Sequence, residues 1–202
     1  MARHSNKQAL IDAGRRVMFR RGFNGTTVRD VVAEAGVPQG SFTNHFASKE
    51  QFGRDVLDQY FAHVRNLVAA SLGEKALTPK ARLERYLDLI VGILEADGFR
   101  RGCLIGDLSL EVTQTSETIR DQLRALFEEW LQPFKECIAD GQAAGEFRSD
   151  FPPDELADFF LASWQGAILR MKVERTSAPL MRFRKIMFAA ILTEGNDPDA
   201  LV

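Results

Sequence analysis

The segment from Thr27 to Phe46 constrains this chain more than any other. Gly36 lies in its middle and Pro38 follows two residues later, so no single regular helix can run through it. Before the break, Val28, Val31, Val32 and Ala35 fall on one helical face. Thr27 precedes them as an N-cap, with Asp30 three residues on, a near match to a capping box. After the break, Pro38 stands at or just before the first turn of a second short helix, Gln39 to Phe46. Phe42 and Phe46, four apart, share a face there and are placed to anchor it. A supporting helix comes earlier, with Leu10, Gly14, Val17 and Met18 on one face, ended by Gly22 and the turn signal Asn24-Gly25. Two short helices on a tight glycine turn, led by a third, are the parts of a helix-turn-helix.

The rest of the chain is also helical by pattern. Ser48 caps a helix that opens on Lys49-Glu50 and links onward to about Leu72. Thr78-Pro79 starts another, striped by Leu83, Leu87, Ile90, Val91 and Leu94 and broken at Asp97-Gly98. Helices follow over about 102–112 and 116–141, the latter with a kink expected at Pro133, and then over about 153–175 and 179–193. The tail around Gly195–Asp199 is expected to fray. No Val/Ile/Thr-rich alternation calls for a sheet. The fold class is all-α: an N-terminal three-helix DNA-binding domain over residues 1–50, continuing into the linking helix 48–72, and a larger helical domain over 51–202.

Charge separates the two parts. Residues 1–56 carry nine basic and five acidic side chains, a balance of +4; the remainder carries 17 and 23, a balance of −6. A basic head on an acidic body suits a polyanion at the head. No apolar run is long enough to span a bilayer, and Met1–Lys7 lacks the apolar stretch of a signal peptide. The two cysteines, Cys103 and Cys137, have no metal-ligand spacing, and the three histidines add none, so no metal and no cofactor is expected, and a reducing cytoplasm fits.

The residue types of the second short helix suit major-groove recognition. Gln39 and Asn44 can both donate and accept at an adenine edge, while Ser41 and Thr43 can meet bases or phosphates. Gly40 lets the backbone come close to DNA, and His45 can reach a phosphate. Lys49 opens the next helix where unpaired N–H groups already favour phosphate, and Thr27 and Arg29 open the preceding one.

Gly22-Phe23, Thr26-Thr27-Val28, Ala35-Gly36-Val37, Gly40-Ser41-Phe42, His45-Phe46 and Ser48-Lys49-Glu50 together resemble the signature of the tetracycline-repressor (TetR) family, over residues 10–56. One position departs: Thr43 stands where that family commonly has an aromatic residue, usually Tyr. The resemblance implies nine or ten helices, a homodimer formed through the last two long helices, a palindromic double-stranded DNA operator, and a small-molecule inducer bound in the body. The sequence agrees in outline. The helix carrying Leu156, Phe159, Phe160, Gly166 and Met171, and the last one, carrying Leu180, Met181, Phe183, Met187 and Ile191, are apolar on more than one face.

Gly98 to Glu111 and Trp164 to Lys172 resemble one branch of the family, which includes repressors of electrophile detoxification and an acrylate-responsive repressor. By position, the reactive cysteine and assisting lysine of the electrophile sensor correspond to Cys103 and Lys172. In that reading a cation (Lys172, Arg100 or Arg101) lowers the Cys103 pKa and favours thiolate. Otherwise Cys103 is a small buried core residue. Trp164, beside Gly166, either lines a pocket or packs. Two other classes compete: a DNA-binding adapter without an inducer, and a helical enzyme, for which no Gly-rich phosphate loop or catalytic triad context appears.

Overall fold

The computed structural model describes residues 6–192. Nine helices occur among them: α1 (Asn6–Arg21), α2 (Val28–Ala35), α3 (Gly40–Thr43), α4 (Lys49–Ala69), α5 (Pro79–Ala96), α6 (Leu104–Val112), α7 (Glu117–Ala143), α8 (Pro153–Glu174) and α9 (Ala178–Ile191). An isolated antiparallel bridge joins Phe147 and Leu192, and no strand is formed among the described residues. The expected frayed tail lies outside them.

Local chemistry sets most of the helix starts. Thr27 and Asp30 form a complete capping box on α2. Ser48 accepts from the Gln51 N–H while the Gln51 amide oxygen accepts from the Ala47 N–H, a related device on α4 in which the return bond reaches one residue before the cap. Thr78 caps α5 with Pro79 at its first turn, and Ser116 accepts from the Ile119 N–H at the start of α7. Gly36 closes α2 in the left-handed region, at φ 65°, where a side chain would be strained. α7 continues through Pro133 as one helix.

The chain divides into two compact units, each discontinuous in sequence. The first joins residues 1–64 with 103–126, so it holds α1–α3, most of α4, α6 and the start of α7. Its core gathers Leu10, Val17, Met18, Val31, Phe42, Phe46, Phe52, Leu57 and Phe61, all buried. The second joins residues 65–102 with 127–202. An aromatic chain runs through it: Tyr86 to Phe134 (4.9 Å between centroids), Phe134 to Phe160 (5.4 Å), Phe160 to Phe183 (5.2 Å) and Phe183 to Trp164 (5.1 Å). Each buried ring contributes about 2–3 kcal/mol of transfer free energy. One cation is buried in this unit: Arg82 donates through Nε to the Leu72 carbonyl (2.5 Å) and through Nη1 to Asp140 (2.6 Å), while Lys75 also pairs with Asp140. No described helix is long and apolar enough to cross a membrane.

Candidate nucleic-acid interface

Ion pairs fix α2 against α1. Arg16 and Arg20 both pair with Glu34 (2.8 and 2.5 Å), and Arg21 pairs with Asp30 (2.6 Å). The Thr27 hydroxyl and N–H, followed by Arg21, hold the Asp30 carboxyl below its ordinary range. These pairs are exposed and individually weak, but together they orient one short helix.

α3 is shorter than the expected 39–46. Only Gly40–Thr43 is regular helix. The Phe42 carbonyl accepts from both His45 and Phe46, which ends the regular ladder while keeping the chain coiled. What holds so short a helix is aromatic: Phe42, Phe46 and Phe52 meet pairwise at 4.8–5.1 Å between centroids, pinning α3 to α4. Burial of Phe42 and Phe46 turns Gln39, Gly40, Thr43, Asn44 and His45 outward, and all five are exposed, as are Thr27 and Arg29. A methyl added at Gly40 would meet nothing within 4 Å, so the fold itself leaves that place open.

Ser41 departs from the expected exposed surface. It is buried, 9% exposed, and its hydroxyl accepts from the Asn6 amide at 3.5 Å. On the Asn6 side of α3, against α1, Ser41 joins the core and not the surface offered to bases.

Lys49 is half-buried. Its ammonium donates to the Asn24 carbonyl (3.2 Å) and lies 4.7 Å from the Phe23 ring centroid. Burial lowers its pKa, while the nearby Glu111 carboxylate acts in the opposite direction. Asn24, read from sequence only as a turn signal, and Glu111, read only as part of a longer resemblance, thus belong to the surroundings of this lysine. They are 87 residues apart, and no local pattern joins them.

Among the sensing candidates, Cys103 sits at the N-cap of α6, 7% exposed. Burial pushes its thiol up; hydrogen bonds from the Gly106 N–H, the Tyr60 hydroxyl (3.8 Å) and the Ile105 N–H act against this, and Asp107 adds to it. The lowering by a cation that the sensing reading required is not seen, and the burial agrees with the other reading, a small buried residue. Cys137 is likewise buried and pushed up to about 11. Lys172 lies half-buried in the last turn of α8. Trp164 is buried in the second unit, and its Nε1 donor has no acceptor among the described residues; nor has the Gln165 side-chain nitrogen. No metal-binding cluster occurs among the described residues.

A short recognition helix pinned by aromatics, a capped helix before it and a separate helical body define a helix-turn-helix transcriptional regulator. The chain belongs to the tetracycline-repressor family: the model of bacterial regulatory proteins of the tetR family matches residues 10–55, and that of the tetracyclin repressor-like C-terminal domain matches residues 79–187. It is 44% identical over 192 residues to the transcriptional repressor DhaR of a Mycobacterium species (strain GP1), covering 95% of each chain. It is 33% identical to the transcriptional regulator AcuR of Cereibacter sphaeroides, over 94% of this chain and 87% of that one. Among solved structures, a TetR regulatory protein from Rhodobacter sphaeroides superposes with a TM-score of 0.88 at 32% identity, over 92% and 98% of the two chains. The reduced form of Escherichia coli NemR superposes at 0.84 and 25%, over 95% and 100%. The chain is accordingly a DNA-binding transcriptional regulator of this family, whose members are regulators and not enzymes.

Proposed function

We propose that this regulator is a repressor that binds a palindromic operator as a homodimer, with residues 1–50 reading DNA and 51–202 dimerising and answering an inducer. The observation that carries the reading is the sidedness of α3: Phe42 and Phe46 inward; Gln39, Gly40, Thr43, Asn44 and His45 outward. Gln39 and Asn44 then meet base edges, Gly40 allows close approach, and Thr27, Arg29, His45 and Lys49 meet phosphates. Thr43, shorter than the family's usual aromatic, shifts sequence preference at its position. A second copy is supported by the apolar face left on the last two helices, where Phe159 and Val173 on α8 are 61% and 76% exposed and Ile186 on α9 is 61% exposed. Twofold symmetry would set two recognition helices roughly 34–36 Å apart, one turn of DNA. Two free cysteines and a DNA target fit the cytoplasm.

The inducer reading favours a reversibly bound small molecule over a thiol-reactive one. The buried Trp164 N–H, without an acceptor among the described residues, is the donor we assign to a neutral ligand that carries an acceptor. Cys103, by contrast, is held protonated by burial, and its alkylation should be slow at neutral pH and quicken as pH rises.

The test is fluorescence anisotropy of the full chain on a duplex from the region upstream of its own coding sequence. Tight, salt-sensitive binding at one dimer per site supports the reading; binding no tighter than to a scrambled duplex sinks it. N-ethylmaleimide is then added to the native protein and to Cys103→Ser. Equal behaviour of the two is expected, and release from the native protein alone would restore the thiol mechanism.

A further inference from the structure

We propose that Glu111, at the end of α6, is a positioning residue for DNA binding, acting through Asn24 on Lys49. The inference rests on the phosphate contact assigned to Lys49 above. The Glu111 carboxylate accepts from the Asn24 main-chain N–H (2.9 Å), and the Glu111 main-chain carbonyl accepts from the Asn24 side-chain amide (3.2 Å). Asn24 then offers its own carbonyl to the Lys49 ammonium (3.2 Å). One residue of the α1–α2 turn is therefore held by the Glu111 carboxylate and main-chain carbonyl through its two donors and holds a cation through its acceptor.

The turn is built to admit that carboxylate. Gly22 has φ +72°, and a Cβ there would collide with the Glu111 carboxylate. The Thr26 hydroxyl, buried, donates back to the Gly22 carbonyl at 2.6 Å, which closes the turn. The chain then passes directly to Thr27, the N-cap of α2. The two phosphate-contact candidates that flank α2 and α4, Thr27 and Lys49, thus both depend on a turn gripped by α6. A lysine already held by a carbonyl and a ring face loses less side-chain freedom on meeting phosphate than a free one.

Two conservative substitutions separate placement from charge. Glu111→Gln keeps an acceptor at the right reach and removes the charge; Glu111→Asp keeps the charge and is one methylene too short for the Asn24 N–H. On the same upstream duplex, Glu111→Asp should lose about tenfold in affinity, and Glu111→Gln should stay within about twofold of native. In a Lys49→Ala background the cost of Glu111→Asp should shrink below about twofold, because the two residues act as one unit. Native affinity for Glu111→Asp, an equal loss for Gln and Asp, or an undiminished loss in the Lys49→Ala background each overturns the proposal. If Lys49→Ala alone leaves binding unchanged, the phosphate contact itself has failed; if it weakens binding while Glu111→Asp does not, only the Glu111 role has failed.

Discussion

The α1–α3 head and the α5, α7, α8 and α9 body solve opposite problems with the same secondary structure. In the head, charged groups near the surface orient α2, three aromatic rings hold one turn of α3, and the purpose of the packing is to leave a polar face uncovered. In the body, aromatic contacts run continuously from Tyr86 to Trp164, the buried cation Arg82 is tied to a carbonyl and a carboxylate, and polar N–H groups are enclosed. A head residue can thus matter greatly to binding and little to folding, and a body residue the reverse.

Gly40 should show the first half of that contrast most strongly. Open space around its Cβ position means that Gly40→Leu folds, with an unfolding midpoint close to native. A bulky side chain on the exposed face would nonetheless hold the helix off the groove. Affinity for the upstream duplex should fall to the non-specific level, about a thousandfold or more. Retained specific binding would mean that α3 docks by another edge.

Arg82→Ala should show the other half. It removes two hydrogen bonds, strands the Leu72 carbonyl in a buried place and leaves Asp140 with Lys75. A loss of about 3 kcal/mol in denaturant unfolding is expected, with DNA affinity per folded dimer unchanged. A cost below about 1 kcal/mol would place Arg82 with the surface pairs of the head.

Thr27→Ala probes the boundary between the two classes, since Thr27 caps α2 and is exposed beside the surface proposed to meet DNA. Loss of the cap should cost about 1 kcal/mol. The Thr27 hydroxyl is also the largest cause of the lowered Asp30 pKa. A carboxyl held low in the folded state stabilises above its unfolded pKa, and that contribution is lost as pH falls through the lowered value. In Thr27→Ala the Asp30 titration, followed by carboxyl NMR shifts, should move up toward the usual 3.8. An unmoved titration would give the Asp30 shift to the Thr27 main-chain N–H and Arg21 instead.

Which of these features the sequence made legible follows from how far each interaction reaches. Caps span three residues, so Thr27 with Asp30, Ser48 and Thr78-Pro79 could be read directly, and much of the helix order followed from them. The four-residue spacing of Phe42 and Phe46 gave the sidedness of α3. Ser41 was misplaced because its partner, Asn6, lies 35 residues away on another helix. Of the two readings of Cys103, activated thiol or buried core residue, sequence could not choose, because burial is a property of the whole unit. Glu111 was invisible as a determinant because its partner is a main-chain N–H, which every residue but proline possesses.

The smallest expected effect is the most informative about the body. Burying a tryptophan ring is strongly stabilising, but enclosing its N–H without an acceptor costs about 1–3 kcal/mol. Trp164→Phe removes the donor and part of the ring, so a cavity cost and a relieved polar cost oppose each other. Net stability should change by less than about 1 kcal/mol, whereas Trp164→Ala should lose about 3 kcal/mol or more. If Trp164 is only a packing residue, Trp164→Phe should release DNA in response to an inducer as the native protein does. If the donor serves a ligand, Trp164→Phe should fold and bind the upstream duplex normally, yet need about tenfold more inducer for release. A nearly neutral substitution in the body that changes only the response to a small molecule would extend the division between fold and function, so clear in the head, into the core of the second unit.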